Sequence, residues 1–280
     1  MLQGLRVNQS TSTVGFCQIS QNASPRIAIV IPARMDSQRL PGKALLEIKG
    51  LPMIEHVRRR GELNTSNVPV IVASGDEEIL DFVSKIGAVS FQSKRNHENG
   101  TSRVFEFSQH HEYTHYLILQ GDELLVLPEQ IDALIRAVTD NPKIDFINLT
   151  TKLHSENEIL DESVVKCVVD TSGKILYIFR KSPLIGQLSE QLNLLRKICG
   201  IFIISESALG TISNSEFTKL EKSQSIEQLR FLELGGSILS LDTAVNFPSI
   251  NLPSDIEKVN SILNSNSAQL QILEQILSQK

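Results

Sequence analysis

The sequence predicts an α/β fold: a mixed, mainly parallel sheet with covering helices and a small β-rich lobe. Three observations carry this. The apolar run Ile27 to Ile31, closed by Pro32, has the composition of a strand buried on both faces. Further apolar runs at Val68 to Ala73, Ala88 to Phe91 and Tyr116 to Leu119 alternate with helix-period segments, as parallel strands joined by covering helices do. Beyond about Lys143 strand-like runs follow one another across a short turn, the mark of antiparallel pairing.

Residues 1 to 25 are rich in Ser, Thr, Gln and Asn and read as a loose arm, with an edge strand at Thr13 to Ile19 as the alternative. After the first strand comes a basic loop, then a short apolar stretch, Ala44 to Ile48. Pro52 opens a helix from Met53 to about Leu63. Asp76 to Ile86 puts Ile79, Leu80, Val83 and Ile86 on one helical face and closes at Gly87. A polar loop, Gln92 to Thr101, leads to a helix near Ser102 to His110, and Pro128 introduces another to about Val138. In the second half Phe146 to Thr151 and Val164 to Val169 are strands, and Asp170 to Lys174 is a turn from which Ile175 to Arg180 returns as a hairpin. Leu184 to Leu195 is a helical or loop excursion before a strand at Cys199 to Ile204. A helix at Ile226 to Leu234, a strand at Ser237 to Leu241 and a terminal helix from about Ser254 finish the chain. Apolar residues continue at helical spacing beyond Asn266, so the tail packs either on a partner subunit or back on its own core.

The 280 residues suffice for one large domain, read as 26–265, with a small lobe at about 143–200 and a helical tail at 266–280. A net charge of -5 gives no overall field for nucleic acid, so affinity for an anion must be local. Cys17, Cys167 and Cys199 form no CxxC and suit a reducing compartment. No apolar segment has membrane-spanning length and no signal peptide is evident, so a soluble, cytoplasmic protein without membrane insertion is expected.

Three stretches hold candidate chemistry. Arg34, Arg39 and Lys43 follow the first strand, with Pro32, Pro41 and Gly42 stiffening or turning the backbone. Beyond the carboxyl end of a parallel strand such a loop suits a polyphosphate, although a solvated surface loop has the same composition. It is neither a P-loop nor a dinucleotide fingerprint. Gln120-Gly121-Asp122-Glu123 ends another buried strand, where a carboxylate suits a divalent ion such as Mg²⁺ shared with substrate phosphate, or an ordinary strand-end turn. Asn96 to Arg103 could present Thr101 and Arg103 to a polar ligand, while the local sequence favours Thr101 or Ser102 as an N-cap. His110, His111 and His115 with Glu112 lack the H-E-x-x-H order and read as solvated helix-end residues. Glu227, Gln228 and Arg230 share a helix with Glu221 in the turn before it, an arrangement that surface ion pairing also explains.

Taken in order, IPARMDSQRLPGKAL, VASGDEEI, RNHENGTSR, LQGDE, SVVKCVVDTSGKILYIFRKSPL and KLEKSQSIEQLRFLELG resemble the 3-deoxy-D-manno-octulosonate cytidylyltransferase (CMP-Kdo synthetase) family from about Arg26 to about Leu263. The resemblance implies a Rossmann-like nucleotidyltransferase fold of the nucleotide-diphospho-sugar transferase type. It also implies attack of a sugar-acid hydroxyl on the α-phosphate of CTP with release of pyrophosphate. By motif, Arg34, Arg39, Lys43 and Asp122 are implied catalytic residues. Pro32, Ala33, Ser74, Gly100, Thr101 and Arg103 join them around the nucleotide, and Gln120, Arg180, Glu227 and Gln228 lie on the sugar side. Mg²⁺ is the implied cofactor, with Asp122 its first ligand. A homodimer through the smaller lobe is the implied assembly.

The chain departs from the family pattern in three places. Asn251, in Ile250 to Ile256, stands where the family's second metal-binding aspartate does. Lys197-Ile198-Cys199-Gly200 replaces KHxG, and Leu124 replaces the proline of QGDEP. A neutral ligand weakens Mg²⁺ binding, and an isoleucine removes a hydrogen-bonding group from the sugar pocket. Two alternatives therefore stand beside the implied activity: a weakened or inactive homologue that binds nucleotide or a partner enzyme, and a cytidylyltransferase for a different carboxylated or phosphonate acceptor.

Overall fold

Strand β1, Ile27–Ala33, is buried at every position and lies inside the sheet. The computed structural model describes residues 24–279 apart from Arg95, Glu98 and Asn246; the loose arm expected over residues 1–25, apart from Ser24 and Pro25, its alternative edge strand at Thr13 to Ile19, and Cys17 lie outside the described residues. After β1 come a 3-10 turn at Lys43–Leu45 and the small hairpin β2 (Glu47–Ile48) and β3 (Leu51–Pro52). The first half continues as α1 (Met53–Glu62), β4 (Val70–Ser74), α2 (Glu77–Lys85), β5 (Ser90–Gln92), α3 (Gly100–Ser108), β6 (His115–Leu119) and α4 (Pro128–Asp140). The second half runs β7 (Phe146–Lys152), α5 (Glu156–Leu160), β8 (Lys166–Val169), β9 (Ile175–Phe179), α6 (Leu188–Leu194), β10 (Leu195–Ser205), α7 (Glu206–Ser213), α8 (Lys219–Gln224), α9 (Gln228–Glu233), β11 (Leu239–Asp242), α10 (Pro253–Ser265) and α11 (Ser267–Ser278).

The main sheet has the order β11-β7-β10-β6-β1-β4-β5, and the β8–β9 hairpin extends it from β10. β1 pairs in parallel with both β4 and β6, and β7 with β11, while β10 is antiparallel to both of its neighbours, β6 and β7. Along that path β10 alone runs against the others, which is the mixed, mainly parallel sheet the sequence predicts. The chain leaves β1 toward β4 and β5, then returns to β6 on the other side. The carboxyl ends of β1 and β6 therefore flank a topological switch point, where α/β sheets open a crevice.

Alternate β1 residues feed two cores. Ile27, Ile29 and Ile31 pack with α1, α2 and α4, whereas Ala28 and Val30 face the side covered by α3, α7 and α9. This two-sided burial is why the run carries no polar residue.

The structure corrects several expectations. Helix α3 starts at Gly100, and its cap is Asn99, whose side chain accepts from the Ser102 amide at 2.8 Å. Thr101 is buried one residue inside the helix. His115 is not solvated: it opens the buried strand β6 and is 4% exposed, because its place in the sheet outweighs its polarity. Glu221 and Arg230 form a buried pair with both guanidinium-to-carboxylate bonds at 2.6 Å rather than a surface one. The terminal helix is two helices, since Asn266 turns the chain and caps α11 through the Gln269 amide.

The tail packs back on its own chain. Ile272, Leu273 and Ile276 join a third core with Met53, Leu124 and Leu125. The Gln269 amide donates to the Leu125 carbonyl at 2.8 Å, and Arg59 of α1 caps the end of α11 through the Ile276 and Gln279 carbonyls. Truncating the fully buried Ile276 to Ala should cost about 2–5 kcal/mol in urea denaturation. Contacts within one chain make that loss independent of protein concentration, and a concentration-dependent loss would instead assign the tail to a partner.

Candidate functional site

The cationic loop leaves β1 at the switch point, and Gly42, with φ 73°, supplies the left-handed turn that starts the 3-10 segment at Lys43. Lys43 Nζ spans the crevice to Asp122 Oδ2 at 2.8 Å and to the Ile250 carbonyl at 3.2 Å. The Ile250 amide donates in turn to the Asp122 carbonyl at 3.2 Å. Three segments far apart in sequence are thus tied together by a half-buried ion pair. Arg39 donates to Asn251 Oδ1 at 3.0 Å, and Arg34 lies 3.5 Å from Asp36. From behind, Asp76 fixes the loop by accepting from the Met35 amide at 2.8 Å.

Two cavities open here. The first, about 490 Å³, is lined by Pro32, Ala33, Arg34, Lys43, Gly100 and Arg103 among others. The second, about 910 Å³, includes Lys197, Ile198, Gly200, Phe202, Gln228 and Phe247. Gln120, Asp122, Arg180, Glu227 and Asn251, together with Arg39, line both. The site is one cleft with two chambers that meet at Asp122.

Glycines permit its tightest approaches. A Cβ on Gly100 would stand 2.9 Å from the Pro32 ring, so the start of α3 closes on the end of β1 only because that atom is missing. A Cβ on Gly200 would overlap the Glu123 carboxyl at 2.2 Å. Gly200 therefore leaves the space that Glu123 fills.

Burial, reinforced by the neighbouring Asp122, pushes the Glu123 carboxyl up to about 8, against the opposing pull of Lys197. Burial likewise raises Glu227 to about 7, although Thr101 Oγ1 donates to it. Desolvation lowers Arg103. Arg103 Nη1, Glu227 Oε2 and Gln228 Oε1 are buried without a hydrogen-bond partner. Such atoms are costly to leave unmatched, and in a cleft wall they supply polar groups for a ligand.

Most of the residues singled out from the sequence meet in this cleft, but two do not line it. Ser74 is fully buried, its Oγ accepting from the Asp76 amide at 3.1 Å. Thr101 acts one step back, through Glu227. Arg180 reaches both chambers, yet its guanidinium is bound to the carbonyls of Glu162, Gln224 and Ser225. Sequence reasoning quoted Glu123 and Lys197 within their motifs and gave neither a role in the cleft. Glu123 follows Asp122 directly, and the glycine at position 200 that makes room for it gives no local signal.

Among the described residues no group of three or more His, Cys, Asp or Glu side chains could hold a metal ion. The oxygen donors at the junction are the Asp122 carboxylate and the Asn251 amide. Mg²⁺ is commonly held by one or two carboxylates completed by substrate phosphates and water, so this hard, sparse set fits a magnesium ion that arrives with phosphate better than one held by protein alone. Among the described residues no helix is long and apolar enough to cross a membrane.

Comparison with known proteins agrees with this geometry. The cytidylyltransferase family model matches residues 28–238. The 3-deoxy-manno-octulosonate cytidylyltransferase of Escherichia coli is 32% identical over 244 residues, covering 87% of this chain and 98% of that protein. The protein of the same name from Pelobacter propionicus is 35% identical over 248 residues, covering 83% and 95%. The solved structure of CMP:2-keto-3-deoxy-manno-octonic acid synthetase complexed with CTP aligns with a TM-score of 0.80 at 32% identity, over 85% of this chain and 98% of that one. The chain belongs to the cytidylyltransferase family, among the 3-deoxy-manno-octulosonate cytidylyltransferases.

Proposed function

We propose that the chain transfers CMP from CTP to a 3-deoxy-octulosonate-type sugar acid and releases pyrophosphate, with CTP in the first chamber and the acceptor in the second. The observation that carries this reading is the junction. Asp122 and Lys43 lie where the chambers meet, with Arg34 and Arg39 around the nucleotide side. An acceptor hydroxyl entering from the second chamber attacks the α-phosphorus opposite the bond to the β-phosphate. Pyrophosphate then departs toward Arg34, Arg39 and Lys43, whose charges oppose the negative charge building on it. Catalysis of this kind is positioning and electrostatics, with no covalent intermediate on the protein.

Asp122 and Asn251 would hold Mg²⁺ together with the phosphates, and the ion would supply charge neutralisation there. Lys43 orients the Asp122 carboxylate until the phosphates arrive, then becomes available to them. Gln120, Gln228 and Glu227 offer hydrogen bonds to acceptor hydroxyls, and Lys197 supplies positive charge for its carboxylate. We read residues 26–265 as the catalytic domain, working in the cytoplasm where CTP is made, and the smaller lobe as the surface of a homodimer. Leu160, Leu176, Ile185 and Leu194 in that lobe are each more than 60% exposed, which favours coverage by a second copy.

Pyrophosphate release should require CTP, Mg²⁺ and a 3-deoxy-octulosonate together; no turnover across a panel of sugar acids would overturn the reading. Lys43→Ala should lower kcat/KM by roughly a hundredfold while circular dichroism stays unchanged. Glu227→Gln should raise the acceptor KM by more than the CTP KM. It should also change the pH dependence of stability. With its pKa raised to about 7 in the folded chain and near 4.5 when unfolded, Glu227 binds more proton folded than unfolded across that window. Unfolding free energy therefore falls as pH rises through it, and urea titrations at several pH values should give a flatter profile for the Gln variant. Light scattering should return a dimer mass, and a monomer at assay concentration would remove the lobe from the assembly.

A further inference from the structure

The first chamber has a wall that is not built from the main strands. Residues 93–99 link β5 to α3, and His97 and Asn99 of that loop line the cavity. A loop facing a polar cavity has little apolar surface to hold it. Here Ser93, Lys94 and His97 converge on one side chain, Glu106, which lies two turns into α3 and is not among the residues that line the two chambers.

The Glu106 side chain is 4% exposed and the His97 ring 7%. Glu106 Oε2 accepts from Ser93 Oγ at 2.6 Å and lies 2.6 Å from His97 Nε2, and Oε1 accepts from the Lys94 amide at 3.1 Å. His97 Nε2 is also 2.7 Å from Ser93 Oγ. The single Ser93 proton is committed to Glu106, so the network assigns the hydrogen at this junction to His97 Nε2, shared between the two oxygens. The Ser93 amide adds a bond to the Ser74 carbonyl at 2.8 Å, tying the start of the loop to the end of β4. Hydrogen bonds from Ser93, His97 and Lys94 hold the carboxyl down at about 2 in spite of its burial. Removing a buried charge with several donors aimed at it leaves each donor unmatched, which costs more than the loss of an ordinary bond. Glu106 also sits one turn along α3 from Arg103, a residue of the chamber, so the same helix presents Gly100 and Arg103 to the cavity and anchors the loop beside them.

We propose that Glu106 is a positioning residue for nucleotide binding: it holds Ser93, Lys94 and His97 in place, His97 as a preformed part of the wall of the first chamber, and so sets the affinity for the nucleoside triphosphate without touching it. The proposal rests on the reading of the first chamber as the nucleotide's. A preformed wall spares the nucleotide the cost of ordering the loop, which is how preorganisation raises affinity. The effect belongs to nucleotide binding and not to the acceptor, whose chamber is lined by none of the loop's described residues.

The test uses the full chain with Glu106→Gln, which keeps the side-chain volume and removes the charge, and with Ser93→Ala, a milder variant that removes one donor and keeps the carboxylate. Amide hydrogen exchange without nucleotide should become faster across residues 93–99 and stay unchanged in β1 and β6. Calorimetry should give a CTP Kd raised by about tenfold for Glu106→Gln and by less for Ser93→Ala. Acceptor KM and kcat at saturating CTP should remain within about twofold. Unchanged loop exchange, a loosened loop with unchanged CTP affinity, or a parallel loss in all kinetic parameters would each overturn the proposal. Calorimetry with UTP, ATP and GTP separates the two readings. A wild-type chain that prefers one of these refutes the cytidylyl reading, and Glu106 is then judged by the same ratio on that nucleotide; a chain that binds none refutes both.

Discussion

The Lys43 and Asp122 ion pair is the constraint on which the rest of the site depends. It joins the loop after β1 to the loop after β6 across the point where the sheet changes direction, and Lys43 adds the Ile250 carbonyl as a third anchor. Both partners are about one-fifth exposed, so the pair is screened less than a surface ion pair yet not stripped of water. An interaction of that kind can be exchanged. Phosphate oxygens offer Lys43 an alternative anion, and a divalent cation offers Asp122 an alternative charge, so the pair fixes the two loops while the cleft is empty without sealing it.

Charge near the junction follows from the same geometry. Asp122 is next to Glu123, and two carboxylates so close in a half-buried setting cannot both ionise cheaply; burial and that neighbour push Glu123 up to about 8. Glu227 is displaced in the same direction. Asn251 contributes an amide in place of a charge. With Glu123 and Glu227 both raised and Asn251 neutral, the junction carries little negative charge against the three cations of one loop. The balance favours a polyanion more than a free metal ion, which suits a magnesium ion delivered on nucleotide phosphates.

Much of this was legible in the sequence because it is local. The run from Ile27 to Ile31 has no polar residue, and that alone demands burial on both faces; the basic loop and the acidic strand end then follow buried strands, where a parallel sheet exposes its chemistry. Features that depend on distant partners were not legible. His115 looks solvated beside His110 and His111, but it is the first residue of a strand paired with β1. Arg230 and Glu221 look like surface charges until α8 and α9 fold them together out of water. Asn99 was passed over as a cap in favour of the hydroxyls at 101 and 102, although it is the residue at which the backbone is still extended. The role of Glu106 depends on a loop folding back over its own helix, which no periodicity reports.

The second chamber arises from an irregularity in β10. Residues 196–198 pair with β7 in one register and 202–204 in another, with the shift falling between Ile198 and Phe202. The first part of this long strand also pairs with β8, and its later part with β6, so β10 joins the β8–β9 hairpin at one end to the middle of the sheet at the other. A bulge is how a strand changes course between such partners. It falls beside Gly200, where the missing side chain admits Glu123, and Lys197, Ile198 and Phe202 on either side of it line the chamber. The second chamber is therefore coupled to the β8–β9 hairpin through β10 and also through Asp161, Ser163, Val164, Val165 and Arg180, which line it. A substitution that moves residues 161–165 or Arg180 acts on the second chamber directly, and Arg180 and Arg39, which line both chambers, carry it to the cations after β1.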